Sequence, residues 1–322
     1  MNIAKIAFDF DDAAKDFFTN RVRTQNEIKA EKDVVYDASD AETCVLDLYY
    51  PPRNGKKIPV LFNVHGGGWI TGDKYWRRGL NLAFADLGLF VVCPNYGLSP
   101  KFKYPACVTH LYKALEWVRE NAEKYDLDLD NLFITGDSAG GQLACLMLAA
   151  QDNPALQQRL GLQTEPLRFK GGLLVCGAYD PEAMAKNPLS NKMWVEMTGC
   201  GRKHLREFAD FDLLRPSDFI TDKFPKNVFV TYGRFDAFVG GNEKLVLDKL
   251  DELKIPHLVY RAEGAGEHCF HLWHYRRPIS RLFFEYARQY IDQMIAGKDE
   301  IKLVKPTRKE MKAHRKGAKY HK

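Results

Sequence analysis

Short apolar runs rich in β-branched and aromatic residues recur along the chain, at Cys44–Tyr50, Ile58–Val64, Leu89–Pro94, Asn131–Gly136, Gly171–Gly177, Asn227–Tyr232 and His257–Arg261. Several are apolar throughout rather than alternating, as strands covered on both faces are. Between them the period lengthens. In 106–124, Val108, Leu111, Tyr112, Leu115 and Val118 fall on one helical face. In 278–295, Ile279, Leu282, Phe283, Tyr286, Tyr290 and Met294 do the same, with Pro278 suited to a first helical position. Strands alternating with helices predict an α/β fold whose central sheet is mostly parallel and flanked by helices. Only a Pro-Pro-Arg-Asn-Gly turn separates the first two runs, which predicts an antiparallel pair at the sheet edge.

Two stretches break the alternation. Residues 1–40 precede the first run and read as helical. Residues 180–226 separate two strands and carry Met193, Trp194, Met197 and Phe208 among charges. Ligands of open α/β sheets bind at the carboxyl ends of strands. An insertion leaving a strand end is therefore placed to roof such a site.

A chain of 322 residues can bury about three quarters of its extended surface, so it needs no disulfide or metal staple. With 45% hydrophobic and 28% charged residues, overall disorder is excluded. The net charge of +5 is local. Residues 298–322 hold ten Lys or Arg and three Asp or Glu, leaving 37 basic and 39 acidic residues before them. That segment reads as a basic, mobile tail, and no nucleic-acid partner is expected. Acidic residues arrive by Asp9, which argues against a secretory leader. No run is apolar enough for a membrane span. Seven cysteines, an odd number without Cys-x-x-Cys spacing, suggest buried thiols and a cytoplasmic protein.

Candidate chemistry begins with Gly136-Asp137-Ser138-Ala139-Gly140. It follows a strand and opens a helical run at 142–149, the context of a nucleophile elbow. Glycines flank a turn too tight for side chains, and the serine hydroxyl is pushed out above the sheet. A second signal, His65-Gly66-Gly67-Gly68-Trp69, directly follows the Ile58–Val64 run. Bare backbone N–H groups at Gly66 and Gly67, with that of Ala139, could stabilise an oxyanion. No Gly-Lys-Ser/Thr follows, so a phosphate loop is poorly supported.

A serine nucleophile needs a base. His268 lies in the loop Gly264–Phe270, between the last strand and the last helix, and His271 is its competitor. His268, His271 and His274 form an every-third-residue series, but no carboxylate–histidine helix motif supports a metal. Asp236, at a strand's carboxyl end in Gly233-Arg-Phe-Asp236, is the first candidate acid, and Asp180 the next. The order Ser138, Asp236, His268 is that expected of α/β-hydrolases.

Together, His65–Trp69, Asn95-Tyr-Gly-Leu-Ser-Pro100, Gly136-Asp-Ser-Ala-Gly-Gly141, Gly233–Asp236 and His268-Cys-Phe270 resemble the hormone-sensitive-lipase-like family of α/β-hydrolases, the fold-3 esterases. The resemblance covers about residues 44–295. It implies an α/β-hydrolase fold with a helical cap built from residues 1–40 and 180–226, a catalytic domain over 41–297 and the tail at 298–322. It also implies Ser138 as nucleophile, Asp236 as acid and His268 as base, with Gly66, Gly67 and Ala139 as oxyanion hole. Two positions depart from the family: Gly97 stands where it usually has Arg, and Val239-Gly240-Gly241 where further acidic residues are common.

The implied activity is a cofactor-free, metal-free carboxylesterase acting on a small-molecule ester. Trp69 and Trp194 are candidate substrate contacts. The aromatic residues Phe8, Phe10, Phe17, Phe18 and Trp194 suggest an apolar pocket for short acyl or aryl esters. An amidase or deacetylase could use the same groups. Plant gibberellin receptors resemble this family but lack the histidine, so a binding protein is the other alternative. Nothing in the sequence fixes the oligomeric state.

Overall fold

The computed structural model describes residues 5–7, 9–10, 12–14, 22–162, 164–264, 267–307 and 319–320. Eight strands form one sheet: β1 (Lys29–Val35), β2 (Val45–Tyr50), β3 (Ile58–Val64), β4 (Phe90–Pro94), β5 (Leu127–Asp137), β6 (Gly171–Val175), β7 (Val228–Gly233) and β8 (His257–Ala262). Their spatial order is β1-β2-β4-β3-β5-β6-β7-β8. The pairs β1/β2 and β2/β4 are antiparallel and the other five are parallel. This mostly parallel sheet flanked by helices is the α/β-hydrolase fold.

Two expectations are corrected here. The first two apolar runs do not pair: β4 lies between β2 and β3, because a parallel β3/β4 pair is made through the helix at 78–85. The edge strand is instead β1, inside the segment read as helical. It runs Lys-Ala-Glu-Lys-Asp-Val-Val and is largely exposed. A charged edge strand carries no apolar period to reveal it, and its charges deter further pairing. A bulge between Glu31 and Val34 breaks its register, with Asp33 at φ 54°.

The main helices are α1 (Arg78–Ala85), α2 (Ala106–Glu120), α3 (Ala139–Ala150), α4 (Pro154–Arg159), α5 (Pro181–Met184), α6 (Pro188–Thr198), α7 (Glu243–Glu252) and α8 (Pro278–Ile295). Neighbouring glycines of β6 show how two of them sandwich the sheet. A methyl group added at Gly171 would strike Tyr290 of α8, and one at Gly172 would strike Leu148 of α3. Successive strand residues face opposite sides, so α8 and α3 lie on opposite faces. Phe84 of α1 packs on Phe283 and Phe284 of α8, 6.4 and 5.4 Å between ring centroids.

The 180–226 interval is helical, with α5, α6 and three short 3₁₀ turns between Leu205 and Phe219. Phe10 of the N-terminal segment is exposed, whereas Phe8, Phe17 and Phe18 lie outside the described residues. Residues 298–307 do not project freely as a tail. The side-chain amide of Gln289 bonds both backbone groups of Val304, and that of Gln293 both backbone groups of Lys302. Ile301 is buried, and Lys319–Tyr320 pairs with Arg23–Thr24. The rest of the basic segment, 308–318 and 321–322, lies outside the described residues. Among the described residues no helix is long and apolar enough to cross a membrane, and no disulfide joins the seven cysteines.

Candidate active site

Strand register brings the two glycine motifs together. Val64, the last residue of β3, pairs with Gly136 of β5, so the chain leaves both strands side by side. Beyond β5, Ser138 sits at φ 55° and ψ −119° before α3 begins at Ala139. That conformation costs a non-glycine residue about 1–3 kcal/mol. Three backbone bonds hold it: Ser138 N donates to Val175 O at 3.0 Å, and Ser138 O accepts from Gln142 N and Ala178 N at 3.1 Å each. The flanking glycines are obligatory. A methyl group would lie 2.3 Å from Gly140 O if placed at Gly136, and 2.1 Å from Val64 O if placed at Gly140. Ser138 is half-buried and Ala139 fully buried.

The glycine loop lies directly against this turn. A methyl group at Gly66 would approach the Ser138 Cβ to 3.1 Å and Asp137 Oδ2 to 2.5 Å. Gly67 takes φ 127° and faces the Thr71 carbonyl. His65 anchors the loop. It is buried, stacks on Tyr96 at 4.3 Å, and places Nδ1 2.8 Å from Gly66 O. Burial pushes its pKa down to about 4, so the ring is neutral at pH 7.

His268 and Asp236 meet at the same end of the sheet. The ring Nδ1–H donates to Asp236 Oδ2 at 2.7 Å. Asp236 Oδ1 accepts from the backbone N–H groups of Phe238 and Val239, both at 2.9 Å. The Asp236 side chain is 1% exposed and that of His268 is 12%. Burial alone would raise the Asp236 pKa, but His268 and the two backbone donors outweigh it and hold the carboxyl below its ordinary value. Asp236 therefore stays ionised and fixes the proton of His268 on Nδ1, leaving the other ring nitrogen able to accept.

The competing residues have other tasks. Asp180 caps α5, accepting from Glu182 N and Ala183 N. His271 is buried with its ring 5.6 Å from that of Phe283. His110 accepts the Gly97 N–H, and a side chain at Gly97 would strike both His110 and Phe102. Cys176 Sγ, a carboxylate oxygen of Asp236 and a ring nitrogen of His268 lie within 4.8 Å of one another. These are metal-ligand types, but both Asp236 oxygens already accept hydrogen bonds.

Trp69 and Trp194 lie together, 5.1 Å between ring centroids, and both are fully buried. They join the 180–226 insertion to the glycine loop, and Trp69 Nε1 donates to Gln142 Oε1 at 3.2 Å. Gln142 Nε2 donates to Leu213 O at 2.7 Å, tying the same insertion to α3 one turn beyond Ser138. One feature of this region has no signal in the sequence. Arg77 is buried and grips Asp137 through two bonds of 2.8 Å. An arginine in the basic stretch Lys74-Tyr-Trp-Arg-Arg78 reads as a surface charge.

The BD-FAE family matches residues 46–249. Among curated proteins, esterase LipQ of Mycobacterium tuberculosis is 34% identical over 151 residues, covering 46% of this chain and 35% of that one. The probable carboxylic ester hydrolase LipM of the same organism is 30% identical over 222 residues, covering 66% and 50%. Arylacetamide deacetylase of Bos taurus is 36% identical over 124 residues, covering 36% and 31%. The matched part thus spans half or less of each of these relatives. Among solved structures, esterase B of Lactobacillus rhamnosis superposes with a TM-score of 0.79 at 22% identity, covering 92% of this chain and 95% of that one.

Proposed function

The chain belongs to the BD-FAE family of α/β-hydrolase-fold esterases, and from that premise we propose that it is a serine carboxylesterase cleaving small acyl or aryl esters. The observation that carries this reading is the Ser138 turn, strained at φ 55° with Gly66 packed against it. The turn leaves the Ser138 side chain half-buried, with the glycine loop close against its Cβ. The esterase relatives support the reaction class, and the glycine motifs favour the hormone-sensitive-lipase-like branch.

Ser138 Oγ attacks the ester carbonyl carbon while His268 Nε2 takes the hydroxyl proton. The carbonyl π electrons move onto oxygen, which the N–H groups of Gly66, Gly67 and Ala139 receive. Asp236 stabilises the imidazolium. The carbon–oxygen bond to the leaving alcohol then breaks, His268 returns the proton to that alcohol, and an acyl-Ser138 remains. Water, deprotonated by His268, attacks the acyl carbon, and the proton returns to Ser138 as the carboxylic acid leaves. The scheme requires neither metal nor cofactor. The seven cysteines favour a reducing compartment, the cytoplasm.

The test is p-nitrophenol release from acetate, butyrate and octanoate esters, with Ser138→Ala as control. Burst release followed by complete loss in the variant is expected; equal rates in both proteins would refute the assignment. The bovine deacetylase match favours anilides as a second substrate class, and p-nitroacetanilide in the same assay separates the two.

A further inference from the structure

Asp137 lies at the meeting point of three loops. It immediately precedes Ser138, its Oδ2 packs against Gly66, and the Cys269 thiol beside His268 reaches the same oxygen at 3.6 Å. A carboxylate here is hazardous for ester hydrolysis, because negative charge forms on the substrate oxygen just across the glycine loop. In a water-excluded site such like charges repel strongly. Among the described residues, Arg77 supplies the strong counter-charge. Arg77 Nε and Nη2 donate to Asp137 Oδ1 and Oδ2, each at 2.8 Å, while Nη1 donates to Asp12 Oδ1 at 2.9 Å. Arg77 and Asp137 are 2% and 1% exposed.

We infer that Arg77 is a positioning residue of the ester-cleaving site, fixing the Asp137 carboxylate beneath Gly66 and offsetting its charge where it faces the oxyanion. The inference rests on the esterase reading above. A guanidinium suits the task because its planar fork meets both oxygens of one carboxylate. Its remaining nitrogen fastens the N-terminal segment to the same point through Asp12. Arg77 is the strongest influence that keeps Asp137 ionised. Burial would raise the Asp137 pKa, yet the Arg77 guanidinium beside it holds it well below the usual range, so its charge is present at pH 7.

The test compares the full-length wild type with Arg77→Met, Arg77→Lys, Asp137→Asn and the Arg77→Met/Asp137→Asn pair. It measures kcat and KM for p-nitrophenyl butyrate, and in parallel the rate of Ser138 labelling by a fluorophosphonate, read by intact mass. Arg77→Met should lower kcat about 10- to 100-fold with KM nearly unchanged, and slow labelling in proportion. Adding Asp137→Asn should restore kcat to near that of Asp137→Asn alone, which a purely structural role cannot explain. A folded double variant as slow as Arg77→Met overturns the inference. Where Arg77→Met does not fold, Arg77→Lys decides: kcat within about tenfold of wild type supports charge neutralisation, and a loss beyond 100-fold in folded protein overturns it. An active wild type matched by every variant defeats this inference alone. A wild type that neither cleaves the ester nor takes the label defeats the esterase reading with it.

Discussion

Asp236→Asn isolates one hydrogen bond whose partners the structure defines on all sides. Asp236 Oδ1 accepts two backbone N–H groups and Oδ2 accepts the Nδ1–H of His268. An asparagine must keep its carbonyl oxygen toward the two backbone donors, since the opposite flip would set an NH2 group against both. Its NH2 group then faces His268 and donates to Nδ1. The ring proton moves to Nε2, and the nitrogen that should accept the Ser138 proton cannot. Loss of the correct tautomer and of the imidazolium's counter-charge should lower kcat about 10³- to 10⁴-fold, or about 4–5.5 kcal/mol of barrier. Because the backbone bonds survive, stability should change by only about 1–2 kcal/mol. The assay is steady-state hydrolysis of p-nitrophenyl butyrate with thermal unfolding of the same preparations. A kcat within tenfold of wild type in a natively folded variant would refute Asp236 as the orienting acid. A much lower melting temperature with the expected kcat would instead refute the assigned amide orientation.

Three further outcomes follow from particular contacts. Gly66→Ala should reduce kcat about 100-fold or more, because its methyl group meets Asp137 Oδ2 at 2.5 Å and Ser138 Cβ at 3.1 Å; wild-type kinetics would show that the loop relaxes freely. His65 is neutral in the fold with a pKa lowered by burial to about 4, against about 6.5 when unfolded. It therefore contributes about 3 kcal/mol that is fully present above pH 6.5 and lost as the pH falls through 4; His65→Asn should flatten the unfolding free energy between pH 7 and 4, and an unchanged slope would contradict this. Deleting residues 300–322 removes four hydrogen bonds to Gln289 and Gln293 and the burial of Ile301. Denaturant unfolding should show a loss of roughly 2–4 kcal/mol, with kcat unchanged.

Local rules made much of this molecule readable from its sequence. Continuous apolar runs belong to strands buried on both faces, so six central strands and helix 278–295 stand out from periodicity alone. The glycines around Ser138 and after His65 are equally legible, because a methyl group there would lie 2.1–2.3 Å from a backbone oxygen. What depends on distant neighbours was not readable. A charged edge strand such as β1 has no buried face to give it a period. Strand order places β4 between β2 and β3, and no local turn records that. Asp180 and Asp236 both follow strands, and only the fold shows one capping α5 and the other meeting His268. The 298–307 segment reads as solvated charge until the amides of Gln289 and Gln293 are seen to hold its backbone. Arg77 is the clearest case. Whether an arginine is a surface charge or a buried counter-ion depends on which carboxylates the folded chain brings to it, and those lie 60 and 65 residues away in sequence.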